Sequence, residues 1–185
     1  EHLPLHPGSG VYTATACGGG SVRTVCGGSY VVSEHWEIYQ SQTMRTVNYR
    51  YQNVKMDLLR RVGLGPEKFI VEDNESGISE ETRYIQDVHS VGLPSEVIHR
   101  ANGNTFKEEY FSYSRKATVP GAPQIGFSYL MEKETMHYEI GATSYFQYSL
   151  DAFSYDDYGN LTWMEEGVMS YGLSPTLFNY RVTEN

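Results

Sequence analysis

Four clusters of turn-forming residues limit what this chain can fold into: Asp73-Asn74-Glu75-Ser76-Gly77, Ala101-Asn102-Gly103-Asn104, Glu139-Ile140-Gly141-Ala142 and Asp156-Asp157-Tyr158-Gly159-Asn160. Asn-Gly accepts positive φ at both residues, and a glycine at the fourth or fifth position of such a cluster fits a type I turn closed by a bulge. Each cluster therefore reverses an extended chain. The segments between them alternate with a period of two, as half-buried strands do. In TVNYRYQNV, Val47, Tyr49 and Tyr51 point one way and Thr46, Asn48, Arg50 and Gln52 the other. In KFIVED, Phe69 and Val71 oppose Lys68, Ile70 and Glu72; in SYFQYSLDAFSY, Phe146, Tyr148, Leu150 and Ala152 share a face, and both faces are partly apolar. The expected fold is all-β: a curved antiparallel meander of long hairpins with little or no helix.

Sixteen tyrosines, seven phenylalanines and 18 glycines support a pleated surface with tight turns. Residues 1–30, with Pro7-Gly8-Ser9-Gly10 and Cys26-Gly27-Gly28-Ser29, read as an irregular or short-stranded lead-in, and residues 31–185 as the hairpin region. Pro120-Gly121-Ala122-Pro123 places a loop at 116–126. One segment stays open between a helical turn and a loop: Val54, Leu58, Leu59 and Val62 have helix-like spacing before Gly63 and Gly65-Pro66 end it. Cys17 and Cys26 flank three glycines, so a hairpin could join them, but spacing equally permits two reduced thiols.

A net charge of −9, with scattered lysines and arginines, offers no basic field for nucleic acid. No run approaches the roughly 20 apolar residues of a membrane-spanning helix, and Glu1-His2-Leu3-Pro4 lacks the features of a signal peptide. Motifs for chemistry are also missing. None of the six histidines has a zinc-protease neighbour, and His137 with Glu139 supplies two ligands at most. The stretch from Asp73 resembles the start of a calcium loop, yet its glycine comes one place early and Tyr84 stands where the last acidic ligand belongs. Asp156/Asp157 and Glu165/Glu166 are adjacent pairs, which a strand sends to opposite faces instead of across a cleft. Trp36 and Trp163 could stack on sugars but equally serve as cross-strand partners. Asn74-Glu75-Ser76 and Asn160-Leu161-Thr162 match N-glycosylation acceptors, a short pattern with meaning only in a eukaryotic secretory route. The expectation is a non-enzyme without cofactor, metal or catalytic residues.

The octapeptide Tyr155-Asp156-Asp157-Tyr158-Gly159-Asn160-Leu161-Thr162 resembles a YD repeat of the Rhs type. The order of motifs from Val31 to about Gly167 is similar to the B components of insecticidal toxin complexes and their Rhs relatives. A Tyr-Arg-Tyr-x-Asn strand ends at Asn53; an Asp followed by an Arg/Gly-rich bend runs through Asp57, Arg60, Arg61, Gly63, Leu64 and Gly65. A Thr-x-Tyr-x-Gln strand, Thr82 to Gln86, and Gly92-Leu93-Pro94 follow. The bend departs from the family's Gly-Arg-Gly-Phe-Leu-Gly-Phe, since Arg60, Val62 and Pro66 replace glycines and a terminal aromatic. One YD turn is well formed, and neither an aspartyl self-cleavage motif nor an effector domain is evident.

The resemblance implies a segment of a hollow β shell that encapsulates a toxin or effector, secreted by or displayed on a bacterium. Its partners would be adjoining shell segments and the cargo, and a segment standing alone would self-associate edge to edge through open strands. The alternative is a secreted or surface β-rich binding module, with Trp36, Trp163 and exposed tyrosines contacting glycans.

Overall fold

The computed structural model describes residues 1–117 and 126–170 in full, and 176–184 as backbone. The middle of the 116–126 loop lies outside the described residues. The described chain is all-β, without helix. By internal contacts it forms two compact units, Glu1–Gly103 and Asn104–Asn185, a different division from the 1–30 and 31–185 partition read from composition.

The first unit opens with strands of two or three residues: β1 (His2–Pro4), β2 (Tyr12–Thr13), β3 (Gly18–Gly19), β4 (Val22–Thr24) and β5 (Tyr30–Val32). Longer strands follow: β6 (Glu34–Tyr39), β7 (Gln42–Gln52), then the short β8 (Lys55–Asp57) and β9 (Val62–Gly65), then β10 (Lys68–Asp73), β11 (Ile78–Tyr84) and β12 (Pro94–Ala101). Its main sheet runs β12-β11-β10-β7, with β6 antiparallel and β2 parallel on the far side of β7. A second sheet has the order β3-β4-β8-β9, and β1 pairs with β5. The alternation expected of TVNYRYQNV and KFIVED sets one face of the main sheet. Phe69 lies opposite Tyr51 and Val71 opposite Tyr49, and the Phe69 ring contacts those of Tyr51 and Tyr49 at 4.9 and 6.0 Å. Leu5, Tyr12, Val47, Leu64 and Ile98 are the buried apolar residues. Cys17 and Cys26 form a disulfide.

The segment left open between helical turn and loop is neither: β8 and β9 pair as a tight antiparallel hairpin. Leucines at helix-like spacing do not reach a core, since Leu58 and Leu59 are 41% and 79% exposed. Asp57 decides the local structure. Its Oδ1 accepts the N–H groups of Leu59 and Arg60, its Oδ2 accepts the Arg60 guanidinium at 2.8 Å, and Arg61 takes positive φ.

The second unit contains β13 (Asn104–Ala117), β14 (Gly126–Tyr138), β15 (Tyr145–Tyr155), β16 (Leu161–Ser170) and β17 (Thr176–Glu184), antiparallel and in sequence order. All four expected turns carry glycine at positive φ, at Gly77, Gly103, Gly141 and Gly159. Register shifts at Ser112/Tyr113, His137/Tyr138 and Ser154/Tyr155 mark bulges, which bend strands locally.

Candidate functional site

The acidic turn residues are used by the backbone. Asp156 Oδ1 accepts the N–H groups of Tyr158 and Asn160, each at 2.8 Å, and its Oδ2 accepts the Asn160 amide at 2.8 Å. The Asn160 bonds hold its carboxyl below the usual range. Asp73 Oδ1 likewise accepts from Glu75 and Ser76, while its Oδ2 takes the Arg45 guanidinium at 3.0 Å. Asp57 and Asp87 build the same kind of turn, Asp87 through the His89 N–H. These carboxylates close turns, and Asp73-Asn74-Glu75-Ser76-Gly77 has the chemistry of a turn where a calcium loop would spread its ligands.

The other candidates are dispersed. His137 on β14 faces Lys107 and Gln147 across its neighbouring strands; burial, then the Lys107 charge, pushes its pKa down. Glu139 lies at the rim of a shallow depression of about 570 Å³ with Ala142, Ser144, Tyr145 and Phe146. Glu165 and Glu166 are opposite Ala152 and Asp151 respectively, on opposite faces of β16. Burial and Glu166 raise the Asp151 pKa, with Lys133 opposing. Among the described residues no group of three or more His, Cys, Asp or Glu is placed to hold a metal. Trp36 lies exposed on β6 in the first unit and Trp163 half-buried on β16 in the second. Asn74 and Asn160 are exposed on turns.

Two arrangements were not legible beforehand. The first is a polar node at Asn53, a buried residue at positive φ. Its Oδ1 accepts the N–H and hydroxyl of Thr15, its Nδ2 donates to Glu67 at 2.7 Å, and its carbonyl accepts the Gln86 amide at 2.7 Å. Gln86 also donates to the Gly65 carbonyl. Gln86 thus ties together the backbone of Asn53 and Gly65, each part of a separate motif. Beside them Tyr51, Leu64, Pro66, Phe69, Tyr84 and Gly92 line an apolar pocket of about 210 Å³ without a carboxylate, histidine, cysteine or lysine.

The second arrangement is a pair of carboxylate-centred clusters. Glu81, buried on β11, meets Lys68 at 2.7 Å, Arg100 at 3.2 Å and Arg83 at 3.5 Å. Burial alone raises its pKa, but the Lys68 hydrogen bond and the Lys68, Arg100 and Arg83 charges outweigh this and hold it below the ordinary value. In the second unit the buried Glu109 binds Lys133 at 2.6 Å and Lys107 at 3.2 Å. On the opposite face of β13, Glu108 accepts the Tyr138 hydroxyl at 2.7 Å; burial, then Glu108, raises the Tyr138 pKa. Period-two alternation could have put Glu81 and Glu109 on a face, but not buried at the centre of their cations.

No protein-family model and no curated protein matches the chain. Among solved structures, the fold is similar to one of the Photorhabdus luminescens Tc holotoxin pore carrying a TccC3 mutation, with a TM-score of 0.54 and 10% identity over 72% of this chain. The chain spans 9% of the length of that structure's chain. At this identity the likeness is one of fold.

Proposed function

We propose that this chain is a non-catalytic structural segment of an Rhs/toxin-complex-type β shell that encapsulates a toxin or effector, secreted or surface-displayed by a bacterium. The observation that carries this reading is the fold likeness to the Tc holotoxin pore across most of the chain. The use of motif residues agrees with it. The side chains of Asn53, Gln86 and Asp156 all hold backbone, as a wall requires. The partners are adjoining shell segments and a cargo, and the chain needs no cofactor or catalytic residue for this role.

The test is electron microscopy of the product of the complete reading frame. A hollow particle enclosing density from a variable C-terminal domain is expected; a solid particle without a lumen overturns the reading. The binding-module alternative draws on exposed Trp36, Tyr39 and Tyr158. A glycan array separates the two, since a wall segment should retain none of the glycans.

A further inference from the structure

The register of the second unit sets Phe111, Lys133, Asp151, Glu166 and Arg181 in one row across β13 to β17. Two carboxylates thus stand side by side. Directly opposed residues of antiparallel strands have Cβ atoms about 4.5–5.5 Å apart, and like charges placed so are destabilising. Asp151 and Glu166 are both half-buried, as are their strand neighbours Ser149, Phe153, Met164 and Val168 on the same face. Salt and water screen such a pair incompletely.

The surrounding charges do not cancel the repulsion. Lys133 stands opposite Asp151 on β14, but its ammonium lies 2.6 Å from Glu109, which also binds Lys107 at 3.2 Å. On the far side, Arg181 of β17 holds the register position opposite Glu166, not Asp151. The diagonal positions Thr135, Met164 and Val168 carry no charge. The charged groups around Asp151 are therefore Lys133, with Glu109 behind it, and Glu166, with Arg181 beyond. Burial, then the Glu166 charge, lifts the Asp151 carboxyl above its ordinary range against the pull of Lys133.

A metal ion would relieve two opposed carboxylates, but among the described residues no third His, Cys, Asp or Glu joins them as a ligand. A proton needs only the two.

We propose that Asp151 and Glu166 form an acid-closing seam between β15 and β16, in which one proton taken from the medium binds Asp151 and its O–H donates to the Glu166 carboxylate. Two repelling anions become a hydrogen-bonded pair with a single negative charge. The second unit then holds β15 to β16 more firmly in acidic than in neutral medium. Stability from the seam is fully present below the ordinary 3.8 of Asp151 and is lost as pH rises through its raised folded value. The Glu81 cluster of the first unit has the reverse dependence. The seam goes beyond the shell reading and does not rest on it.

Carbon-13 NMR titration of the whole chain, with the Asp151 carboxyl assigned by its loss in Asp151→Asn, should show Asp151 titrating above 3.8. Glu166→Gln should move that titration downward. Glu165→Gln, on the opposite face of β16, should leave it in place. In urea unfolding, the folding constant of the parent divided by that of Asp151→Asn should rise several-fold from about pH 7 to about pH 4. The ratio cancels titrations common to both chains, that of Glu81 included. Circular dichroism of each variant checks that the fold persists. An Asp151 carboxyl of the parent chain titrating at or below 3.8 overturns the proposal, whatever the variants do. A ratio that does not change with pH, or equal shifts from Glu165→Gln and Glu166→Gln, also overturns it.

Discussion

Gly159 combines two demands that favour glycine. Its φ is +89°, and a Cβ there would sit 3.2 Å from the ring of Phe127. Gly159→Val should therefore destabilise by on the order of 1–3 kcal/mol, measured by urea unfolding. Equal midpoints for variant and parent would show that residue 159 lacks positive φ. Asn53→Ala should cost about 3 kcal/mol, because it removes bonds to Thr15 and Glu67 at a buried, left-handed position. Glu81 links stability to pH. Its folded pKa lies below the unfolded value, so its contribution is complete above the ordinary 4.5 and is lost as pH falls through the depressed folded value. Acid unfolding of Glu81→Gln should accordingly be less steep below about pH 4.5 than that of the parent. Identical acid limbs would mean that Glu81 does not carry this linkage.

At the scale of elements, the Cys17–Cys26 bridge closes a short loop among the small strands of the first unit. Replacing both cysteines by serine should lower stability by about 2–3 kcal/mol on chain-entropy grounds. A calorimetric midpoint unchanged by the double replacement would show that the loop is already fixed by its strands. The long hairpins were legible because two signals coincide there: period-two alternation and glycine at positive φ. The β8–β9 hairpin was not. Its leucines mimic a helix face, while the deciding interaction, one carboxylate accepting two backbone N–H groups and a guanidinium, leaves only a single Asp in the sequence. The turn at Gln40-Ser41 was hidden for a related reason, since two non-glycine residues take φ of 47° and 63° there. The Asn53 node was invisible because it joins residues from Thr15 to Gln86, and no local pattern reports such convergence.

At the scale of the whole chain, net charge opposes association while open strand edges favour it. Charge repulsion is screened beyond about 8–10 Å at physiological salt. Raising salt from low to moderate should therefore increase the associated fraction in analytical ultracentrifugation. A monodisperse 21.0 kDa species at all salts would show that the edges are protected. Within Asn104–Asn185 every strand pairs with its neighbour in sequence. Each hairpin then needs only the last strand laid down as its template, so pairing can follow the chain off the ribosome with a single growing edge. A gene encoding such a ladder can gain or lose a pair of strands by duplication or deletion while the register of the strands before it stays unchanged.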